Sequence, residues 1–429
     1  MSFGQGLSGL KAAAQRIDVI GNNIANSNTV GFKSSSVSFA DVYASSRVGL
    51  GTQIAGVNQD FTVGNLSVTG GQFDIAIDGG TGLFRVVDSS GSVFFTRNGE
   101  FSPNKEGYLT NAQGHFLTGY VLNQETGAYS LQPEPIRLPT GNIAPLATGS
   151  NIENNPESGV LARAMNLDAK ADPIDATIVF PNLSTAPNAP KVPDPSSYNM
   201  SVPMTVYDSL GREHQLTQYF RKTGENEWSV FYQLGSEIPA DWQEHKIEFK
   251  SNGEIVKPDP DATPPITTDT SRTTLTFNIT GAEPLVIPVN YEEATQFGGP
   301  FNYQFVQDGY PTGEYASMGV SADGTVVANY TNGEMLEVGY IVLADFPNMQ
   351  GLSPVGGNAW AQSPDSGAPR LGRPGQNGLS NLMSQALEES NVDISTELVN
   401  MIITQRTYQA NAQSITTQSE MMQNLLNIR

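Results

Sequence analysis

Asp74 and Asp78 alternate with apolar residues in FDIAID, so a strand here would hold two carboxylates that could pose as a paired acid and base acting on a glycosidic bond. A solvent-facing strand edge explains them more simply, because no further residues for that chemistry stand out. GGTGLF, Gly79 to Phe84, has the glycines of a phosphate loop, but no Lys-Ser/Thr pair follows and the context is strand to strand. His115, His214 and His245 are far apart, and none stands in a metal-ligand spacing. They read as surface or turn residues. VKPDPDATPP, with Asp259 and Asp261, lacks the glycine and the terminal glutamate of a calcium loop and reads as a solvated loop. The absence of cysteine excludes disulfides, thiolate metal sites and a cysteine nucleophile. The residues therefore predict no catalytic centre, no cofactor and no metal. The main rival from another class is a secreted, acidic, β-rich enzyme such as a glycosidase.

The chain has 429 residues, enough for two or three domains with their own cores. Charged residues make up only 15%, while 43 glycines and 27 prolines favour short strands and turns over a helical bundle. Lys plus Arg number 22 against 43 Asp plus Glu, and a net charge of -21 repels phosphate backbones and anionic membrane surfaces. Nucleic acid is not an expected partner. The opening MSFGQGLSGLKAAAQRID lacks the basic start, continuous apolar core and small-residue cleavage site of a secretory signal, and no stretch approaches ~20 apolar residues. A soluble product, either cytoplasmic or exported by a route without a cleaved signal, and no membrane insertion are the expectations.

The elements that frame this chemistry-poor middle lie at the ends. Leu7, Leu10, Ala14, Ile17, Gly21 and Ile24 are spaced alternately by three and four, a heptad seam. The same spacing recurs through Ile394, Leu398, Met401, Gln405, Tyr408, Ala412, Ile415, Ser419, Met422 and Leu426, predicting a helix ~50 Å long. The other positions of that helix are mostly uncharged amides and hydroxyls, where a solvated face would carry Glu and Lys. Such a helix fits packing on several sides, as inside a polymer. Between the ends, FDIAIDGGTGLFRVV and FFTRNGEFSPNKEGYLTNAQGHFLTGY read as strands joined by Asn-Gly and Glu-Gly turns. The sequence thus predicts a mixed, mainly β protein with nested β domains and terminal helices pairing as a coiled coil. Residues 1–30 with 386–429 form the helical part, 31–70 a glycine-rich connecting segment, 71–145 with 319–385 a β domain, and 146–318 an inserted outer β domain.

Four stretches, ANSNTVGFK, FDIAIDGGTGLFRV, FTRNGEFSPNKEGYLTNAQGHFLTGY and SNVDISTELVNMIITQRTYQANAQSITTQSEMM, closely resemble the signatures of bacterial flagellar rod and hook proteins. Phe39 to Asn65, Val206 to Phe220 and Ala344 to Asp393 resemble the hook branch of that family and not the rod. The resemblance is weakest from Pro145 to Tyr198 and from Ile238 to Tyr315. It implies a structural subunit exported unfolded through the flagellar type III apparatus, added beneath a cap protein, and polymerised with itself into a short curved tube between rod and filament. The implied partners are further copies of the chain and the flagellar rod, hook cap and hook-filament junction proteins. The implied location is the extracellular hook of the flagellum, with the paired helices lining the inner tube. Asn26, Asn28, Gly31 and Phe32 would then form the turn where the chain leaves the inner helix. Gly49, Gly51, Gly56 and Gly64 mark a segment suited to weak, adaptable contacts between neighbours. Another polymerising surface subunit is a further alternative.

Overall fold

The computed structural model describes residues 3–42, 51–124, 126–150, 158–181, 193–235, 242–258 and 269–427. Gly49, Asp259 and Asp261 lie outside them, as does the side chain of Leu426. The protein is mainly β, with helix α1 at Phe3–Ala25 and helix α2 at Ile394–Asn427.

Helix α1 carries the strong helix formers Ala12, Ala13 and Ala14 but also four glycines, each costing about 1 kcal/mol relative to alanine. At two of them the return is close approach. A Cβ on Gly6 would lie 3.0 Å from Ile415 Cγ1, and one on Gly9 would lie 2.9 Å from Asn411 Nδ2. With Ala12, Ala13 and Ile20 also buried, α1 meets α2 largely through small residues. Asp393 starts α2 as its cap: its carboxylate accepts from Ser395 N at 2.9 Å and Thr396 Oγ1 at 2.7 Å. These bonds, that from Thr396 foremost, hold its pKa below the usual aspartate value.

The region read as a connector contains an antiparallel hairpin, β1 at Ser35–Val42 and β2 at Gly51–Gln59. Val37 pairs with Val57 and Phe39 with Ile54, on either side of a bulge after Ser38. The hairpin packs on α1, so this part of the chain is structured rather than a bare linker.

The chain divides into two compact units. The first holds both helices, the hairpin and a β core, and comprises residues 1–140, 315–329 and 335–429. Distant strands close this unit. Met335–Ile341 pairs with Phe116–Val121, Leu343–Asp345 with Leu83–Val87, Asn381–Ser384 with Ile75–Asp78, and Ala386–Glu388 with Leu66–Val68. Leu83, Phe95, Ala344, Phe346, Leu352 and Trp360 pack in its core.

The second unit comprises residues 141–314 and 330–334. One of its sheets is a four-stranded meander, Met200–Tyr207, Glu213–Gly224, Glu227–Leu234 and Gln243–Glu248. The other is five-stranded and includes Val160–Asp168 and Leu285–Asn290. Val202, Phe220, Trp228 and Tyr232 from the first sheet share a core with Val160, Leu167, Ile287 and Val289 from the second. Two sheets burying their inner faces together is the sandwich solution for alternating strands.

Asp208 organises the first hairpin turn of this sandwich. Its buried carboxylate accepts from Leu210 N and Arg212 N at 2.9 Å, Arg212 Nε at 2.7 Å and His214 Nε2 at 2.9 Å. Burial alone would raise its pKa, but the hydrogen bonds from His214 and Arg212 outweigh burial and hold it at about 2. A carboxylate with a depressed folded pKa adds stability that is complete above its unfolded value and fades as pH falls through the folded one. Asp208→Asn should therefore cost this unit roughly 2 kcal/mol at neutral pH, and the gap from the parent should close as pH falls toward 2. Trp228 fluorescence through urea unfolding at several pH values reads both effects; a gap independent of pH would contradict the assignment.

Candidate functional site

The groups that could have done chemistry are occupied elsewhere. His214 serves the Asp208 turn, His245 has Nε2 2.9 Å from Thr270 O with its pKa lowered by burial, and His115 stacks on Phe94 at 5.1 Å. Asp74 accepts a hydrogen bond from Thr69, while Asp78 ends its strand facing solvent. Among the described residues no group of His, Asp or Glu is arranged to hold a metal, and no helix is long and apolar enough to cross a membrane.

The most highly determined polar site lies where the helices join the first β core. The chain leaves α1 through a turn in which Asn26 Nδ2 donates to Asn22 O at 3.0 Å and Thr29 Oγ1 donates to Asn26 Oδ1 at 3.2 Å. Asn28 is exposed and Phe32 buried. Gly31 has φ +68°, and a Cβ there would stand 2.6 Å from Asn98 N, so both backbone and space demand glycine. Gly31 N then donates to Glu388 O at 2.7 Å.

Directly after this turn, Lys33 Nζ lies 2.6 Å from Glu388 Oε1, and Arg97 Nε lies 2.7 Å from Glu388 Oε2. All three side chains are 2% exposed or less. The remaining bonds are filled by backbone: Lys33 Nζ donates to Thr62 O at 2.5 Å, Arg97 to Gly82 O at 2.7 Å and Gly79 O at 2.6 Å, and Gly64 N to Glu388 Oε1 at 2.9 Å. One carboxylate thus holds four separate parts of the chain together. Burial lowers the Lys33 pKa even though Glu388 pulls it upward, and the second cation, Arg97, adds to the lowering.

A second clamp is Asn23, buried in α1. Its amide donates to Ser35 O and to Glu397 Oε1, both at 2.8 Å, and accepts from Ser35 N at 2.9 Å. Asn391 Oδ1 accepts from Ser34 N at 2.8 Å, and Gln59 Oε1 accepts from Trp360 Nε1 at 2.7 Å. Helix ends, hairpin and β core are therefore joined by side-chain amides as well as by the ion cluster. Sequence reasoning quoted the stretches containing Lys33, Arg97 and Glu388 without singling these residues out. The available signal was isolated charges inside glycine-rich and apolar stretches of a chain poor in charge.

The helix pair leaves one face open. On α1, Leu10, Ala14, Ile17 and Ile24 are half-buried and Leu7 is exposed. On α2, Met401, Ala412 and Ile415 are half-buried, while Ile394, Leu398, Tyr408 and Met422 are exposed. Among the described residues of α2 the buried one is Thr404, which the heptad reading placed off its seam. Close approach at Gly6 and Gly9 brings the helices together over Asn411 and Ile415, and a short polar side chain such as Thr404 fits this small-residue contact. Leu398, Val399, Ile402 and Ile403 consequently remain between 46% and 56% exposed on a helix with few charges. Phe39, Ile54 and Val57 are likewise exposed on the hairpin, where Gly51 begins β2, Gly56 lies within it and Gly64 follows it.

A helix pair fastened to its own β core and carrying an open apolar face fits a structural subunit that packs against other chains. Known proteins give this class its members. Residues 5–33 match the family described as flagella basal body rod protein, and 76–155 the flagellar hook protein FlgE/F/G D1 domain. Residues 166–310 match the flagellar basal body protein FlaE D2 domain, and 383–428 the flagellar basal body rod FlgEFG protein C-terminal family. Flagellar hook protein FlgE of Salmonella typhimurium is 40% identical over 436 residues, covering 100% of both chains. That of Escherichia coli K12 is 40% identical over 434 residues with the same coverage, and that of Brucella suis 29% identical over 433, covering 99% of this chain and 98% of its own. The crystal structure of Helicobacter pylori flagellar hook protein FlgE2 shares the fold, with TM-score 0.51 at 15% identity over 76% of this chain and 100% of that one. The chain belongs to the flagellar hook protein family. It is a structural subunit of the flagellar hook and not an enzyme, and the glycosidase alternative has no support.

Proposed function

We propose that the chain polymerises into a short curved tube between rod and filament, and that this tube bends while it turns, carrying torque as a universal joint. The observation that carries the reading is the open face Leu398, Val399, Ile402 and Ile403 on a helix pair already fastened to its own β core. Burying the exposed half of each such side chain against a neighbour contributes about 1 kcal/mol, and the gain recurs at every subunit. In the tube α1 and α2 form a coiled-coil inner wall, in which Leu7, Ile394, Leu398, Tyr408, Met422 and Leu426 meet other copies. Gly49, Gly51, Gly56 and Gly64 belong to the segment that makes adaptable contacts, with the apolar side chains of β1 and β2 sliding on neighbours as the tube bends. The partners are further copies, the rod, the hook cap and the hook-filament junction proteins. Delivery is by the flagellar type III apparatus, to the outside of the cell and without a cleaved signal.

Supplying this chain to a bacterium that lacks its own hook subunit tests the proposal. Curved hooks should reappear in electron micrographs and swimming should return. Chain found in the medium with no hooks on the cells would show that it is exported but not assembled, and would overturn the reading.

A further inference from the structure

Near the end of α2, Met421 and Met422 are 58% and 63% exposed. With Phe3, Gln418 and Ser419 they line an open, mainly apolar cleft of about 470 Å³. Of the other methionines, Met165 is 1% exposed and Met318 4%, whereas Met335 is 71% exposed and Met383 37%. A thioether is oxidised in proportion to its access to oxidant, so the chain carries both sensitive and protected sulfurs.

We propose that Met421 and Met422 form an oxidation site that decides whether a subunit can join the polymer. The reactant is a peroxide, hydrogen peroxide in the simplest case. A sulfur lone pair attacks one peroxide oxygen, an S–O bond forms as the O–O bond breaks, and the departing hydroxide takes the remaining proton to leave as water. Sulfur loses two electrons and the peroxide gains them. The product sulfoxide is a strong hydrogen-bond acceptor, and packing it into an apolar contact strips it of water. Consecutive helix positions point about 100° apart, so the two sulfoxides make two flanks of α2 polar. Attack requires access, so a subunit is vulnerable before incorporation and protected after it. The proposal rests on the tube reading, through the burial of this end of α2 between copies.

Hydrogen peroxide treatment of the full chain, followed by peptide mapping, tests the site itself. Met421 and Met422 should oxidise at least about tenfold faster than Met165 and Met318; equal rates would overturn the proposal. Assembly is tested in parallel with a Met421→Leu, Met422→Leu double variant, which keeps size and helix preference and is compared with the parent by circular dichroism. After the same treatment the parent should sediment as monomer and the variant should still polymerise. The variant retains Met335 and Met383, which are also exposed, so loss of polymerisation in both would assign the effect to other sulfurs and overturn the proposal. Normal polymerisation of the oxidised parent would overturn it too. Failure of the untreated parent to polymerise would instead remove the tube reading, while the peptide map still decides which sulfurs react.

Discussion

Glu388→Gln should lower the stability of the helix-bearing unit by about 3–5 kcal/mol and leave the inserted unit unchanged. The substitution keeps size and one acceptor but strands Lys33 and Arg97, both buried, without their shared anion. Lys33→Met should cost less, because it leaves Glu388 and Arg97 as a neutral pair with its backbone partners. The parent's own pH response follows from the same site. Burial lowers the Lys33 pKa below 10.5, so the penalty of the buried charge is complete below the folded value and is relieved as pH rises toward the unfolded one. Trp360 reports on the helix-bearing unit once Trp228 and Trp242, in the inserted unit, are replaced by Phe. A Glu388→Gln loss below about 1 kcal/mol in guanidinium unfolding would mean that the cluster is incidental to the junction.

Ile402→Asp should abolish polymerisation while leaving the single chain almost untouched. Ile402 is 52% exposed on α2, so the carboxylate stays hydrated in the monomer and melting should shift by no more than about 0.5 kcal/mol. In a tube the same charge is desolvated at every contact, at several kcal/mol each, which raises the critical concentration by roughly a hundredfold or more. Ile415→Asp makes the contrast. Ile415 sits against Gly6 within the chain, so that change should loosen the helix pair as well as the polymer. Sedimentation beside thermal melting separates the two. If Ile402→Asp polymerises like the parent, the open face is not the contact.

The mainly β architecture with a helix at each end was legible because period and composition change so sharply between the ends and the middle. The pairing of strands across the insertion was legible only through the nested pattern and the family resemblance, since no local signal joins Asn381–Ser384 to Ile75–Asp78. The helix contact was read from a heptad seam of apolar and small residues, of which Ile415 lies against Gly6, while Ala12, Ala13, Ile20 and Thr404 are buried off that seam. Glycine and alanine on α1 let the backbones approach, Thr404 and Asn411 fill the narrow contact, and larger side chains are left outward. The hairpin was hidden by its glycines, which read as a connector until Val37 is set against Val57 and Phe39 against Ile54. The ion cluster was the hardest to see. Its members are 64 and 291 residues apart along the chain, and only the fold makes Lys33, Arg97 and Glu388 neighbours.

On this proposal, open apolar faces on the paired terminal helices drive assembly into a hollow joint. Electron cryomicroscopy of the purified chain after polymerisation tests it most directly. The expected result is a hollow tube with α1 and α2 along the inner wall, Leu398, Ile402 and Ile403 buried between subunits, and the Lys33–Glu388–Arg97 cluster intact inside each one. Tubes that carry the helix pair on the outer surface, or that leave Ile402 and Ile403 facing solvent, would contradict it.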